Sequence, residues 1–407
     1  MCQKGSRTAD NFARSMEILL FGSVISPNGT RLGPFRIPLE ALTRHVSIFG
    51  MTGSGKSTTA KILAHELRLR GVSVMILDRT GEYLQPLSRE GGAKVLTPGK
   101  TVSIAVFQRD KSLPLSTQIE EWVSLLDHFT LATHASSLSP LQERITRETL
   151  GQYYHGTDAT LTISQFISKL EQYEERFRHR NGWEESIEAL ISRLWPLTAD
   201  LVGETLDRPY STLSLGELLE SSLTIIDLSV LADDGARNLL SQLILKQLRD
   251  KVRSMGPTDA PRLAVIVDEA QHLAPNGNYV SLPELCAIEL RKFGFSIVMI
   301  ATRPSLISPN IIANSGTVLT HLLTNLRDVE TILNYSLSTS PDITGKLIRR
   351  LGPGEAMVQV NYPRPIPATF CSVGNESHRA LFGLPNSWED ARPSRFASTP
   401  PEGERRG

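Results

Sequence analysis

The chain has 407 residues, of which 40% are hydrophobic and 21% charged, a balance that excludes an intrinsically disordered chain and is enough for about two or three packing units. Lys plus Arg and Asp plus Glu number 43 each, giving a formal net charge of zero. That excludes a histone-like coat for nucleic acid and a strongly acidic chaperone, and leaves room for a local basic channel.

Apolar runs at 18–21 and 297–301 are too short for a signal-peptide core or a membrane span, so a soluble, cytoplasmic chain is expected. Cys2, Cys286 and Cys371 are odd in number and far apart, which suggests free thiols rather than disulfides or a zinc site. Residues 1–43 read as a short β-rich segment, with strands near 18–21 and 35–37 separated by the turn signal Pro27, Asn28, Gly29. Residues 46–49 form a buried-strand pattern that runs straight into a glycine-rich loop. An amphipathic helix follows at 58–70, closed by Gly71, and then an apolar strand at 72–77. Strand, helix and strand in that order predict a βαβ unit, a parallel sheet and a right-handed crossover.

The pattern turns helical over 116–201, read as an insertion. Thr162 and Gln165 form a capping box ahead of one helix, and a second runs from Trp183 to about Trp195 and stops at Pro196. Strands resume at 223–227, 263–267 and 296–300, with a helix at 236–252 between the first two. The predicted organisation is an α/β core over 44–115 and 202–384, interrupted by the helical insertion. A tail at 385–407, rich in Pro, Ser and Arg, is expected to be disordered. The basic run at 176–180 is preceded by Glu171, Glu174 and Glu175, so a charge-paired helix face is favoured over a DNA-facing patch.

Gly50, Met51, Thr52, Gly53, Ser54, Gly55, Lys56 and Ser57 spell a P-loop between a strand and a helix, with Thr58 following. The glycines let backbone N–H groups turn inward onto a β-phosphate, and the helix start adds positive potential. Lys56 would bridge β- and γ-phosphates and the Ser57 hydroxyl would ligate Mg²⁺. Asp268 and Glu269 end an apolar strand. Asp268 belongs beside the Mg²⁺, and Glu269 would polarise the attacking water, a pair that suits hydrolysis better than phosphoryl transfer to a hydroxyl. Asp78 and Glu82, in the run Asp78-Arg79-Thr80-Gly81-Glu82-Tyr83, either face the nucleotide or a neighbouring subunit, or form an acidic turn. Thr302, at the end of another strand and followed by Arg303, is a γ-phosphate sensor candidate or a turn cap. Arg291 and Arg44 are candidates for an arginine that neutralises transition-state charge.

This ordered set resembles the HerA family of HerA/FtsK-type P-loop ATPases. The resemblance rests on Arg44-His45 leading into the P-loop, the run from Asp78 to Tyr83, Asp268-Glu269-Ala270, Arg291 through Gly294, and Arg303-Pro304-Ser305. The late Leu351-Gly352-Pro353-Gly354-Glu355 looks like the family's closing strand. The resemblance implies a RecA-like ATPase core with ATP and Mg²⁺ as cofactors. It also implies a homo-hexameric ring that drives double-stranded DNA through its pore and often feeds a nuclease of the NurA type. On the same basis Arg44 and Arg291 act in trans and Thr302 is a sensor, here directly followed by Arg303 without the intervening Gln common in the family. Residues 1–43 can supply only a truncated form of the family's N-terminal barrel. Two other classes share the core: a type IV secretion or conjugation ATPase, and a nucleotide switch that uses ATP for assembly. The sequence argues against an ABC subunit, because Leu213-Ser214-Leu215-Gly216 is neither the required signature nor close enough to Asp268.

Overall fold

Short apolar runs bounded by turn residues bury best as strands of one sheet, and the chain does this throughout. The structure, a computed structural model, describes residues 18–26, 30–42, 44–88, 92–111, 113–134, 136–177, 182–277, 280–361 and 365–382. Its strands are β1 (Ile18–Ile25), β2 (Arg31–Pro38), β3 (Val46–Phe49), β4 (Ser73–Asp78), β5 (Ala93–Leu96), β6 (Leu223–Asp227), β7 (Thr258–Val267), β8 (Phe293–Ala301), β9 (Thr317–Thr320), β10 (Glu355–Val360) and β11 (Ile366–Val373). They form an 11-stranded sheet in the order β2-β1-β11-β10-β9-β3-β8-β7-β4-β6-β5. From β9 to β5 every pairing is parallel. From β9 to β2 every pairing is antiparallel.

The central strands read as unbroken apolar runs because both of their faces are covered. Val74 and Ile76 of β4 and Ala264 and Ile266 of β7 pack on one side, with Ile62, Leu63 and Leu67 of α1 (Lys56–Leu69). Met75, Leu77, Val265 and Val267 face the other side. That second layer holds α2 (Leu115–His134), α3 (Pro140–Gly156), α4 (Ile163–Phe177), α5 (Trp183–Leu194), α6 (Asp234–Ser254) and α7 (Leu282–Glu289). Helix α4 starts as its capping box predicts: the Gln165 N–H donates to Thr162 Oγ1 at 3.2 Å, and the Thr162 N–H to Gln165 Oε1 at 3.1 Å. Trp122, Phe166 and Leu190 of the helical block lie in the same apolar cluster as Val265 and Met299 of the sheet, so block and sheet share a core.

The N-terminal strands depart from the expected barrel fragment. They form a hairpin on the rim of the main sheet, where Gly22 pairs with Val373 and Val24 with Cys371. Glycine permits this approach, since a Cβ at Gly22 would sit 2.2 Å from the Ser372 carbonyl oxygen. Cys286 and Cys371 are free and buried. The tail at 385–407, the turn at 27–29, Cys2 and the side chains of the basic run at 176–180 lie outside the described residues. Among the described residues, no helix is long and apolar enough to cross a membrane.

Candidate nucleotide site

Register brings the predicted loops together. Phe49 pairs with Ala301, Met299 with Val267, Val267 with Leu77, and Asp78 with Asp227. The residues that follow these pairs therefore leave the carboxyl edge of the sheet side by side: Gly50, Thr302, Asp268 with Glu269, and the loop beginning at Arg79. In open parallel sheets this edge is where ligands bind.

The P-loop curls tightly over that edge. Gly55 precedes α1 at φ 111°, in the left-handed region, and a Cβ there would meet Gly354 N at 3.0 Å. Met51, Thr52 and Gly53 are exposed, Ser57 and Thr58 half-buried, and Ser54 and Lys56 buried. Lys56 Nζ donates to the Met51 carbonyl at 3.0 Å, folding back over the loop. Burial pulls its ammonium below the ordinary lysine range, opposed by the negative charges of Glu269, Asp268 and Glu82.

Asp268 is buried, and its carboxyl is pushed up to about 6, first by burial and then by the charges of Glu269, Asp78 and Glu82. Its bond from the Glu269 N–H pulls the other way. Glu269 takes φ 50°, ψ 45°, a left-handed conformation that is strained for a residue with a side chain and typical of functional turns. Gln271 Nε2 donates to Glu269 Oε2 and fixes the carboxylate's aim. The oxygen donors of Ser57 and Asp268 are the hard ligands that Mg²⁺ prefers, and the glycine-lined loop is the cradle a phosphate requires.

Other predicted residues fall elsewhere. Asp78 is fully buried, and its carboxylate accepts the N–H groups of Gly81 at 2.8 Å, Tyr83 at 3.0 Å and Thr80 at 3.2 Å. This is the geometry of the acidic-turn reading, with the carboxylate engaged in folding its own loop. Glu82 is exposed, and its charge reaches Lys56, Lys61 and Asp268. Arg303 Nε donates to the buried Asp328 Oδ2 at 3.3 Å, which ties it to the helix Leu326–Leu333. Arg44 and Arg291 sit ahead of β3 and β8, at the opposite edge of the sheet from Gly50 and Thr302. With ~3.3 Å of rise per residue, Arg44 lies on the order of 15 Å from the P-loop of its own chain.

Several supporting residues are given no individual role by the motifs. His45, between the two arginine segments, donates from Nε2 to the Ala287 carbonyl at 2.7 Å and accepts the Ile297 N–H at Nδ1 at 3.1 Å. Burial, reinforced by the Arg291 charge, pushes it down to about 4. Arg79 is buried against Asn238 at 2.6 Å and Asp234 at 2.9 Å. His321 lies beneath the P-loop. The one hint of it is its place directly after a strand parallel to β3.

The sequence profile described as Helicase HerA, central domain, matches residues 21–248. The chain belongs to the HerA family. It is 24% identical over 361 residues to the DNA double-strand break repair helicase HerA of Sulfolobus acidocaldarius, covering 83% of this chain and 68% of that one. It is 25% identical over 351 residues to the protein of the same name from Sulfurisphaera tokodaii, covering 81% and 65%. The chain thus spans about two thirds of the length of these HerA relatives. Among solved structures, VirB4 of Thermoanaerobacter pseudethanolicus superposes with a TM-score of 0.67 at 16% identity, covering 88% of this chain and 97% of that one. The plasmid coupling protein TrwB, in complex with ADP and Mg²⁺, does so with 0.59 at 16% identity, covering 88% and 94%. Both have the P-loop ATPase fold that the motif order predicts.

Proposed function

We propose that this HerA-family chain hydrolyses ATP with Mg²⁺ and uses the energy, as a ring of six copies, to move along double-stranded DNA. The observation that carries the reading is the convergence of the Lys56 helix start with Asp268 and Glu269 on one sheet edge, while Arg44 and Arg291 lie at the other. In the proposed reaction Lys56 neutralises β- and γ-phosphate oxygens. Ser57 and Asp268 would hold a Mg²⁺, which when bound would supply positive charge against the phosphates. Glu269 takes the proton of the attacking water, and Thr302 reads the γ-phosphate from beside Gly50. Arg44 and Arg291 serve the site of a neighbouring copy, so the catalytic set is complete only between subunits.

DNA as the track follows from the HerA relatives, whose names describe DNA double-strand break repair helicases. A nuclease of the NurA type as partner is proposed on the family resemblance of the motifs alone. Conjugation-type ATPases share this fold, as the likeness to VirB4 and TrwB illustrates, but the sequence relationship points to HerA. The test is ATP turnover with and without duplex DNA, together with particle images in the presence of ATP. DNA-stimulated turnover by rings is expected, and a monomer indifferent to DNA would overturn the reading. Mixing Arg291→Ala with Lys56→Ala subunits should restore part of the activity if the arginine acts across the interface.

A further inference from the structure

We infer that His321, acting with the turn at 352–355, is a positioning residue that holds the P-loop in its phosphate-binding shape before nucleotide arrives. The inference rests on the ATPase reading above and adds to it a support outside the motifs.

His321 follows β9 and is completely buried. Its backbone N–H donates to the carbonyl of Phe49, the last residue of β3 before the loop, at 2.8 Å. Its ring makes two bonds whose directions can be assigned. Nδ1 lies 2.8 Å from the Glu355 carbonyl oxygen. A carbonyl only accepts, so Nδ1 carries the proton. The neutral ring then presents Nε2 as an acceptor, and Thr59 Oγ1, in the first turn of α1, donates to it at 2.9 Å. A protonated ring would have no lone pair left for Thr59.

Two backbone bonds complete the bracket. The Met51 N–H donates to the Leu322 carbonyl at 2.9 Å, and the Gly354 N–H donates to the Ser54 carbonyl at 2.9 Å. The start and middle of the loop and the first turn of its helix are thus each tied to the segment after β9 or the turn before β10. The fit leaves no slack: a Cβ at Gly50 would come within 2.6 Å of the His321 Cβ. A phosphate cradle fixed in advance loses less freedom when it binds its ligand, so removing a tie should weaken nucleotide binding more than it slows the chemical step. The ring's two hydrogen bonds go to Thr59 and the Glu355 carbonyl and to none of the residues proposed to carry the reaction, although the Lys56 charge reaches it. It works through Thr59 and the loop backbone.

The experiment compares the full chain with His321→Asn, which keeps a donor near the Glu355 carbonyl but does not reach Thr59, and with Thr59→Val and Thr59→Ser. Steady-state ATP hydrolysis is measured for each. Both His321→Asn and Thr59→Val should raise KM about tenfold with kcat within about twofold, and Thr59→Ser should return KM to the wild-type value. The double variant should be no worse than either single one, because both remove the same bond. Wild-type KM in Thr59→Val, a fall in kcat at constant KM, or no rescue by Thr59→Ser would each overturn the inference. If His321→Asn does not fold, the Val and Ser variants at Thr59 decide alone. Failure of the wild-type chain to bind or hydrolyse ATP would instead remove the ATPase reading, and this inference with it.

Discussion

The parallel strands, β9 to β5, and the antiparallel strands, β10 to β2, meet the nucleotide site from opposite sides and contribute different things to it. The parallel half delivers the side chains proposed to react. Each motif leaves a strand end on the same edge, so Lys56, Asp268 and Glu269 are placed by register. The antiparallel half delivers backbone: Gly354 N–H and the Glu355 carbonyl, joined to the loop partly through a neutral buried histidine at the seam. Groups that meet a phosphate are recognisable by type and spacing. Groups that only hold them in place are ordinary residues made important by what they pair with.

This division can be broken or sharpened by four measurements. The largest effect is expected from Glu269→Gln, which should cut turnover by about a thousandfold while ATP is still retained; normal turnover would remove the water-activating role from the parallel half. Acid should act next. His45 and His321 are both buried neutral and held at about 4, so from pH 6.5 down to about 4 the unfolded chain binds more protons than the fold. Stability therefore falls as pH drops through that window. Going from pH 7 to 5 should cost the nucleotide-free protein about 2 kcal/mol for each histidine, read from urea unfolding. His321→Gln should remove one of the two contributions, and an unchanged loss would place the acid sensitivity away from the seam.

Asp78→Asn should lower the unfolding free energy by about 2 kcal/mol, because a carboxylate oxygen that now accepts loop N–H groups is lost. Unchanged stability would return Asp78 to the residues that face the ligand. The smallest effect is expected from Gln271→Ala, a drop in kcat of about tenfold at constant KM, since Glu269 loses the donor that aims it. A rise in KM instead would blur the distinction between the halves.

Much of the parallel half was legible because strands covered on both faces must be apolar along their whole length. The runs at 72–77, 223–227, 263–267 and 296–300 fall within or beside β4, β6, β7 and β8. Strands β5 and β9 escaped because they are four residues long, with Lys94 in one and two threonines in the other. The hairpin's place at the sheet rim was equally hidden: apolar runs on either side of a turn signal point to β1 and β2, but only the bare Cα of Gly22 against Ser372 reveals their partner. Within the site, the P-loop and the acidic pair are short, local patterns. The bond between Thr59 and His321 joins residues 262 positions apart, a distance at which no spacing rule operates. Gln271 is close in sequence to Glu269, yet its role depends on a backbone turn at positive φ that a Glu rarely adopts.

The hairpin on the rim also gives the enzyme a mechanical path. β1 is laddered to β11, β11 to β10, and the turn that opens β10 grips Ser54. A load applied to the outer strands would be carried rung by rung, across two strand widths, to the P-loop, so force at the periphery and the shape of the proposed phosphate cradle share one stiff beam.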